Sequence, residues 1–142
     1  MRTQILKGAS LALVLGVLAL SAPAPVAAAD IRANVPFSFT VNKKVLPPGK
    51  YDVSNSAAHS LLIRGFGAGA VILSQRTESA TSTSPKLVFH RYGDEYILRE
   101  VWMGGGSGHT LPETRREREL AAGRSGAATA SASFERVEVA IQ

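Results

Sequence analysis

The residues able to do chemistry are few, and their spacing does not favour it. His59, His90 and His109 are the only histidines, with about 20–30 residues between neighbours and no H-x-H or H-x-x-x-H pair. A zinc site would need three separate elements to converge without any local ligand pair. His90 stands in an apolar run and is expected to be a satisfied core or boundary histidine. Cysteine is absent, which excludes disulfides, thiolate metal sites, a cysteine nucleophile and an N-terminal lipid-modified cysteine. A Ser/His/Asp set can be written from His90, Asp94 and many serines, but there is no G-x-S-x-G elbow and the serines fall in low-complexity loops. Glu95 and Glu100 are five apart, so on one strand they point to opposite faces rather than forming a glycosidase pair. No catalytic, cofactor-binding or metal-ligating residue is assigned, and no cofactor is implied.

Other motifs fail in detail. Gly104–Gly108 before a helix invites a phosphate-loop reading, but His109 stands where lysine is required before Thr110, and Met103 where the first glycine belongs. Gly65–Gly69 leads into a strand, which excludes a dinucleotide fingerprint. Leu111-Pro112-Glu113-Thr114 is similar to a cell-wall sorting motif, with Arg115 in place of the required glycine. Arg115, Arg116, Arg118 and Arg124 form the densest basic patch. Glu113, Glu117 and Glu119 interleave with it, as on a solvated helix face. Sixteen Lys and Arg against eleven Asp and Glu is too weak an excess to argue for nucleic acid.

The elements that must position any site are organised around Lys86–Met103, KLVFHRYGDEYILREVWM. Two runs rich in β-branched, aromatic and aliphatic residues meet at Gly93-Asp94, a pair suited to a tight hairpin turn. The register then pairs Tyr92 with Glu95, Arg91 with Tyr96, His90 with Ile97, Phe89 with Leu98 and Val88 with Arg99. Alternation puts Leu87, Phe89, Tyr96, Leu98 and Trp102 on one face, and Val88, His90, Ile97 and Val101 on the other. Both faces are apolar, as expected of strands covered on two sides. Glu100 interrupts the first face, and a bulge or a partner for its carboxylate is the remedy.

Residues 1–29 read as an export signal. Arg2 and Lys7 precede an apolar core at Ala9–Leu20, and Ala27-Ala28-Ala29 is a cleavage site. That core is shorter than the ~20 residues of a membrane span, and no later segment approaches one. Residues 30–41 alternate through Val35, Phe37, Phe39 and Val41 as one strand, with Pro36 near its start. Pro47-Pro48-Gly49 is a turn. Strands follow near Lys50–Ser54, Ser60–Arg64 and Ala70–Arg76, with a Ser/Thr-rich loop over 77–85. Gly104–Gly108 reads as a loose linker into a short helix, capped by Thr110 and Glu113 and stopped at Gly123. Leu111 and Leu120 anchor that helix. Arg124–Ser133 reads as flexible, and Phe134–Gln142 alternates again through Val137, Val139 and Ile141, a strand able either to complete the domain's own sheet or to pair with another molecule.

Three stretches then form a pattern: V-P-F-S-F-T-V at 35–41, L-P-P-G-K-Y-D-V at 46–53 and K-L-V-F-H-R-Y-G-D-E-Y at 86–96, followed by L-P-E-T-R-R-E-R-E at 111–119. The chain resembles a family of small exported bacterial β-proteins with V-P-F-x-F-x-V, L-P-A-G-x-Y-x-V and F-H-R-Y-G segments and an L-P-x-[ST]-R-x-E-R-E helix. The resemblance covers most of the chain after the leader to about Leu120, with Pro48 where alanine is usual. That family has no assigned activity. The match implies export and domain limits, and it transfers no catalytic residue.

The expected architecture is all-β: a small antiparallel sandwich or barrel of about seven strands with one short C-terminal helix. Residues 1–29 are the signal peptide, 30–122 the β-domain with its helix, and 123–142 a flexible tail with a terminal strand. The leading functional expectation is an exported, periplasmic or extracellular, non-catalytic β-module acting through protein or envelope contacts. Val137, Val139 and Ile141 of the spare terminal strand are its candidate contact residues. The rival is a carrier of a small apolar ligand, with Phe37, Phe39, Tyr96 and Trp102 lining a pocket between opened sheets. A hydrolase comes third. Neither nucleic acid nor a transmembrane segment beyond the leader is expected.

Overall fold

Short alternating stretches dominate the chain, and each buries one row of side chains. The computed structural model describes residues 30–81, 84–124 and 134–141; the expected export signal at 1–29 and most of the segment 124–133 lie outside them. In order the elements are β1 Ile31–Val35, β2 Phe39–Val41, β3 Lys44–Leu46, β4 Gly49–Ala57, β5 Ser60–Gly65 and β6 Ala68–Leu73. They continue with β7 Gln75–Glu78, β8 Lys86–Tyr92, β9 Glu95–Gly104, β10 Ser107–Thr110, α1 Arg115–Arg124 and β11 Glu135–Ala140. One sheet has the order β1-β4-β5-β6. The other runs β11-β8-β9-β10-β7, with β2 joining β9 in parallel and β3 pairing with β2. Two facing sheets and one short helix make a sandwich.

Among the described residues eleven strands replace the expected seven or so, largely because the chain turns corners inside runs that read as continuous. The 30–41 run breaks at Pro36, so that β1 pairs with β4 in one sheet and β2 with β3 and β9 in the other. Pro36 has no N–H to give a ladder and is suited to the crossing. The 70–76 run breaks at Ser74 in the same way. Between β2 and β3, Asn42 and Lys43 take φ values of 42° and 71°, the left-handed pair of a two-residue hairpin turn.

Gly104–Gly106 is no loose linker. All three glycines have positive φ, 97°, 64° and 82°, and they form the turn that lets β10 fold back on β9. Thr110 therefore belongs to a strand and caps nothing. The capping box falls one turn later: Glu117 N–H donates to Thr114 Oγ1 at 3.2 Å, and Thr114 N–H points back to Glu117 Oε2 at 3.5 Å. Gly123 lies within α1 rather than beyond it. Leu111 is buried just before the helix and Leu120 is half-buried on it.

The central hairpin keeps the expected register from Tyr92↔Glu95 to Phe89↔Leu98, then shifts. Val88 pairs with Glu100 instead of Arg99, so Arg99 is the extra residue of a bulge. The slip reverses the parity of the rest of β9. Leu98 and Val101 both enter the core, whereas Trp102 leaves it: its Nε1–H donates to Glu100 Oε2 at 2.8 Å. The expected grouping of Trp102 with Leu98, and of Val101 with Ile97, is corrected accordingly.

β11 pairs with β8 along its whole length, and Ile141 then bridges to Ala33 of β1. The terminal strand thus belongs to the sheet and ties its edge to the other sheet. Val137, Val139 and Ile141 are half-buried against the core. Between the sheets the space is filled. Val35, Phe39, Val41, Leu46, Val53, Leu61, Ile63, Leu87 and Phe89 are all buried, each contributing about 1.5–3 kcal/mol if fully withdrawn from water.

Candidate functional site

Four places in the fold gather residues that bear on function. On the outer face of the β8–β9 hairpin, α1 presses Glu117 against the strands until its side chain is only 1% exposed. Arg99 Nη1 donates to Glu117 Oε2 at 3.2 Å, Tyr92 Oη donates to Oε1 at 3.3 Å, and His90 Nδ1 lies 3.4 Å from Oε1. Phe134 stacks on the His90 ring, with centroids 3.6 Å apart and planes 9° from parallel. Burial pushes the Glu117 carboxyl upward. The hydrogen bond from His90, the Arg99 charge and the Thr114 amide outweigh it and hold the group below the usual carboxylate range. Burial first, and the neighbouring Glu117 charge second, push the Tyr92 phenol up to about 12.

This set has the residue types of an acid–base site, but its members are spent on one another. Glu117 uses both oxygens, its own backbone N–H is capped, and Phe134 lies flat on the histidine. The arrangement clamps a mostly polar helix onto a sheet. The expected solvated helix face is corrected at this position: Glu117 is the carboxylate that the helix buries. Arg115 pairs with Glu119 at 3.0 Å, while Arg116 reaches Glu95 on β9. His90 is the satisfied boundary histidine that was expected.

The second place is a buried polar pair between the sheets' ends. Ser74 Oγ and His109 Nδ1 are 3.0 Å apart, and both residues are buried. Burial, then the charge of Arg76 and the nearness of His59, hold His109 below the usual histidine range, so the neutral imidazole shares one hydrogen with the hydroxyl. Among the described residues no carboxylate pairs with His109, and no group of three His, Cys, Asp or Glu residues is arranged to hold a metal ion.

The third place is aromatic. Phe37 stacks on Tyr96 at 3.9 Å and meets Phe89 edge-on at 5.1 Å; Phe39 packs against Phe89 and Tyr51. Three of the four proposed pocket residues are therefore together, but as packed rings rather than the wall of a cavity. Trp102 stands apart on the outer face, where its ring covers Gly108 so closely that a Cβ there would lie 2.7 Å from the indole Cε3.

The fourth place is the free edge of the smaller sheet. β6 pairs with β5 on one side only. Ser74 N–H donates to His59 O, and stepping back by twos along an antiparallel ladder leaves Gly69, Val71 and Leu73 with backbone groups directed away from β5. Lys44 Nζ occupies Gly69 O at 2.7 Å. Val71 and Leu73 remain, 62% and 73% exposed. Among the other strands with a single partner, β7 carries Arg76 and Glu78 and β3 carries Lys44.

Comparisons with protein-family models, with curated proteins and with solved structures return no match.

Sequence reasoning missed the Glu117–Arg99 clamp and the β6 edge. The T-x-x-E spacing at 114–117 was a readable signal for the first, since it is a capping box on its own. The second had one too: Gly67 to Ser74 carries no charge, which is unusual for an edge strand.

Proposed function

We propose that the chain is an exported, non-catalytic β-module that works by contact, and that its contact surface is the β6 edge joined to β6 of a second copy. The observation that carries this reading is the pair Val71 and Leu73, exposed on a strand that pairs on one side only and carries no charge or proline of its own. Natural edges are usually protected by charge, bulges or cover. Here β7 carries charges and β11 is tied to β1 through Ile141, while β6 has neither device beyond Lys44. An uncharged strand meets no repulsion from its own copy, and a two-fold antiparallel pairing sets Val71 and Leu73 of one copy against those of the other. The terminal strand, first choice as the contact element, is engaged within the chain. The filled inter-sheet space speaks against a ligand pocket among Phe37, Phe39 and Tyr96.

The test needs no partner: multi-angle light scattering with analytical ultracentrifugation of the protein lacking residues 1–29. The wild type is expected to be a dimer at high micromolar concentration. The Val71→Lys/Leu73→Lys variant is expected to be a monomer of unchanged circular dichroism. A monomeric wild type, or a variant that dimerises as well, would refute the β6 contact.

A further inference from the structure

We propose that the cleft beside α1 binds a single-chain amphiphile with an anionic head, such as a medium-chain fatty acid. The cleft encloses about 330 Å³, at the small end of the range for ligand sites. Its floor is apolar, formed by the buried Ile72, Leu98 and Leu111. Its rim is cationic. Lys43, on the left-handed turn between β2 and β3, and Arg118 on α1 both line it, and neither forms an ion pair among the described residues. Arg115 also lines the rim but is engaged by Glu119, and Glu113 is the one acid there.

The charge pattern selects the ligand class. Most cations among the described residues have a carboxylate, as Arg32 has Asp52, Lys86 has Glu138, Arg91 has Glu135, Arg116 has Glu95 and Arg136 has Glu100; Lys44, Lys50 and Arg64 have none, but they do not line this cleft. Two cations with no ion pair among the described residues, set over a hydrocarbon floor, complement a carboxylate head on an alkyl tail. An uncharged apolar ligand would leave both cations unused. A free inorganic anion would leave the floor wet. The exposed Leu73 at the rim lengthens the apolar path along which a tail can lie.

This site shares Leu73 with the β6 contact, but its cations lie on the β2–β3 turn and on α1, so substitutions there leave the β6 edge untouched and the two readings can fail independently. The experiment is titration of the protein with decanoate below its micelle concentration, followed by methyl NMR and calorimetry. Saturable shifts confined to Ile72, Leu98 and Leu111 are expected. Lys43→Gln/Arg118→Gln should weaken binding about tenfold, since it removes both charge-assisted contacts. Both positions are exposed and unpaired, so the fold is retained. The control Lys50→Gln/Arg64→Gln, on exposed positions of β4 and β5, should bind as wild type does. No saturable shift, equal binding of decanol and decanoate, or unchanged affinity in the Lys43/Arg118 variant would each overturn the proposal.

Discussion

Truncating Glu117 to alanine tests whether the helix is held by a buried charge. The substitution leaves Arg99, whose side chain is only 16% exposed, without its carboxylate. It also leaves Tyr92 Oη without an acceptor and the Thr114 amide without its cap. Breaking a fully buried pair by removing one partner costs about 3–5 kcal/mol. Arg99 keeps some access to water, so about 3 kcal/mol is the expected loss, or roughly 12 °C in Tm at about 4 °C per kcal/mol. Urea unfolding followed by circular dichroism measures it. Glu117→Gln keeps the shape and an acceptor for the cap, and should lose less. A double-mutant cycle with Arg99→Ala should give a coupling of about 1–3 kcal/mol. A loss below about 1 kcal/mol from Glu117→Ala, or independent effects at the two positions, would refute the clamp. The pH dependence carries its own sign. Because the folded carboxyl lies below its ordinary value of 4.5, its contribution is complete above that value and is lost as pH falls through the folded pKa. The Glu117→Gln variant should therefore lose less stability than wild type on acidification.

Two other outcomes follow from neighbouring geometry. Tyr92 is neutral in the fold with its phenol pushed up to about 12, so its contribution is present below pH 10 and disappears as pH rises toward 12; Tyr92→Phe should flatten alkaline unfolding in that window, and an unchanged curve would count against the buried phenol. Gly108→Ala drives a methyl into the indole of Trp102, so about 1–3 kcal/mol of destabilisation and a red-shifted tryptophan emission are expected, and unchanged emission would mean that the ring is not held there.

How much of this was legible in the sequence depends on how far apart the deciding residues lie. The hairpin at Gly93-Asp94 was readable because alternation and turn chemistry are local, and four of its five stated pairs stand. The corners at Pro36 and Ser74 were not, because a strand that changes sheets keeps the same alternation on both sides of the break. β10 was hidden by composition: Ser107, Gly108, His109 and Thr110 have weak strand propensity, and their pairing comes from β7 and β9 on either side. The clamp was half legible. Thr114 and Glu117 announce a cap, but burial of Glu117 depends on Arg99, His90 and Tyr92, residues 18 to 27 positions away. The terminal strand was legible as a strand, but whether it completes the sheet or meets another molecule stayed open, since free and paired strands share one pattern; it completes the sheet.

Inside and outside along β9 are assigned by counting residues, and the strand is counted from both ends. The tally from the turn at Gly93 holds to Leu98 and then slips by one position, and the tally from the turn at Gly104 slips by one at Met103. Arg99 absorbs the first slip. Pairing Arg99 regularly with Val88 would turn the far half of the strand inside out, bringing Glu100 toward the hydrocarbon interior and sending Val101 to water. The same odd residue is the one freed to reach Glu117, so the helix owes its anchorage to an arithmetic remainder.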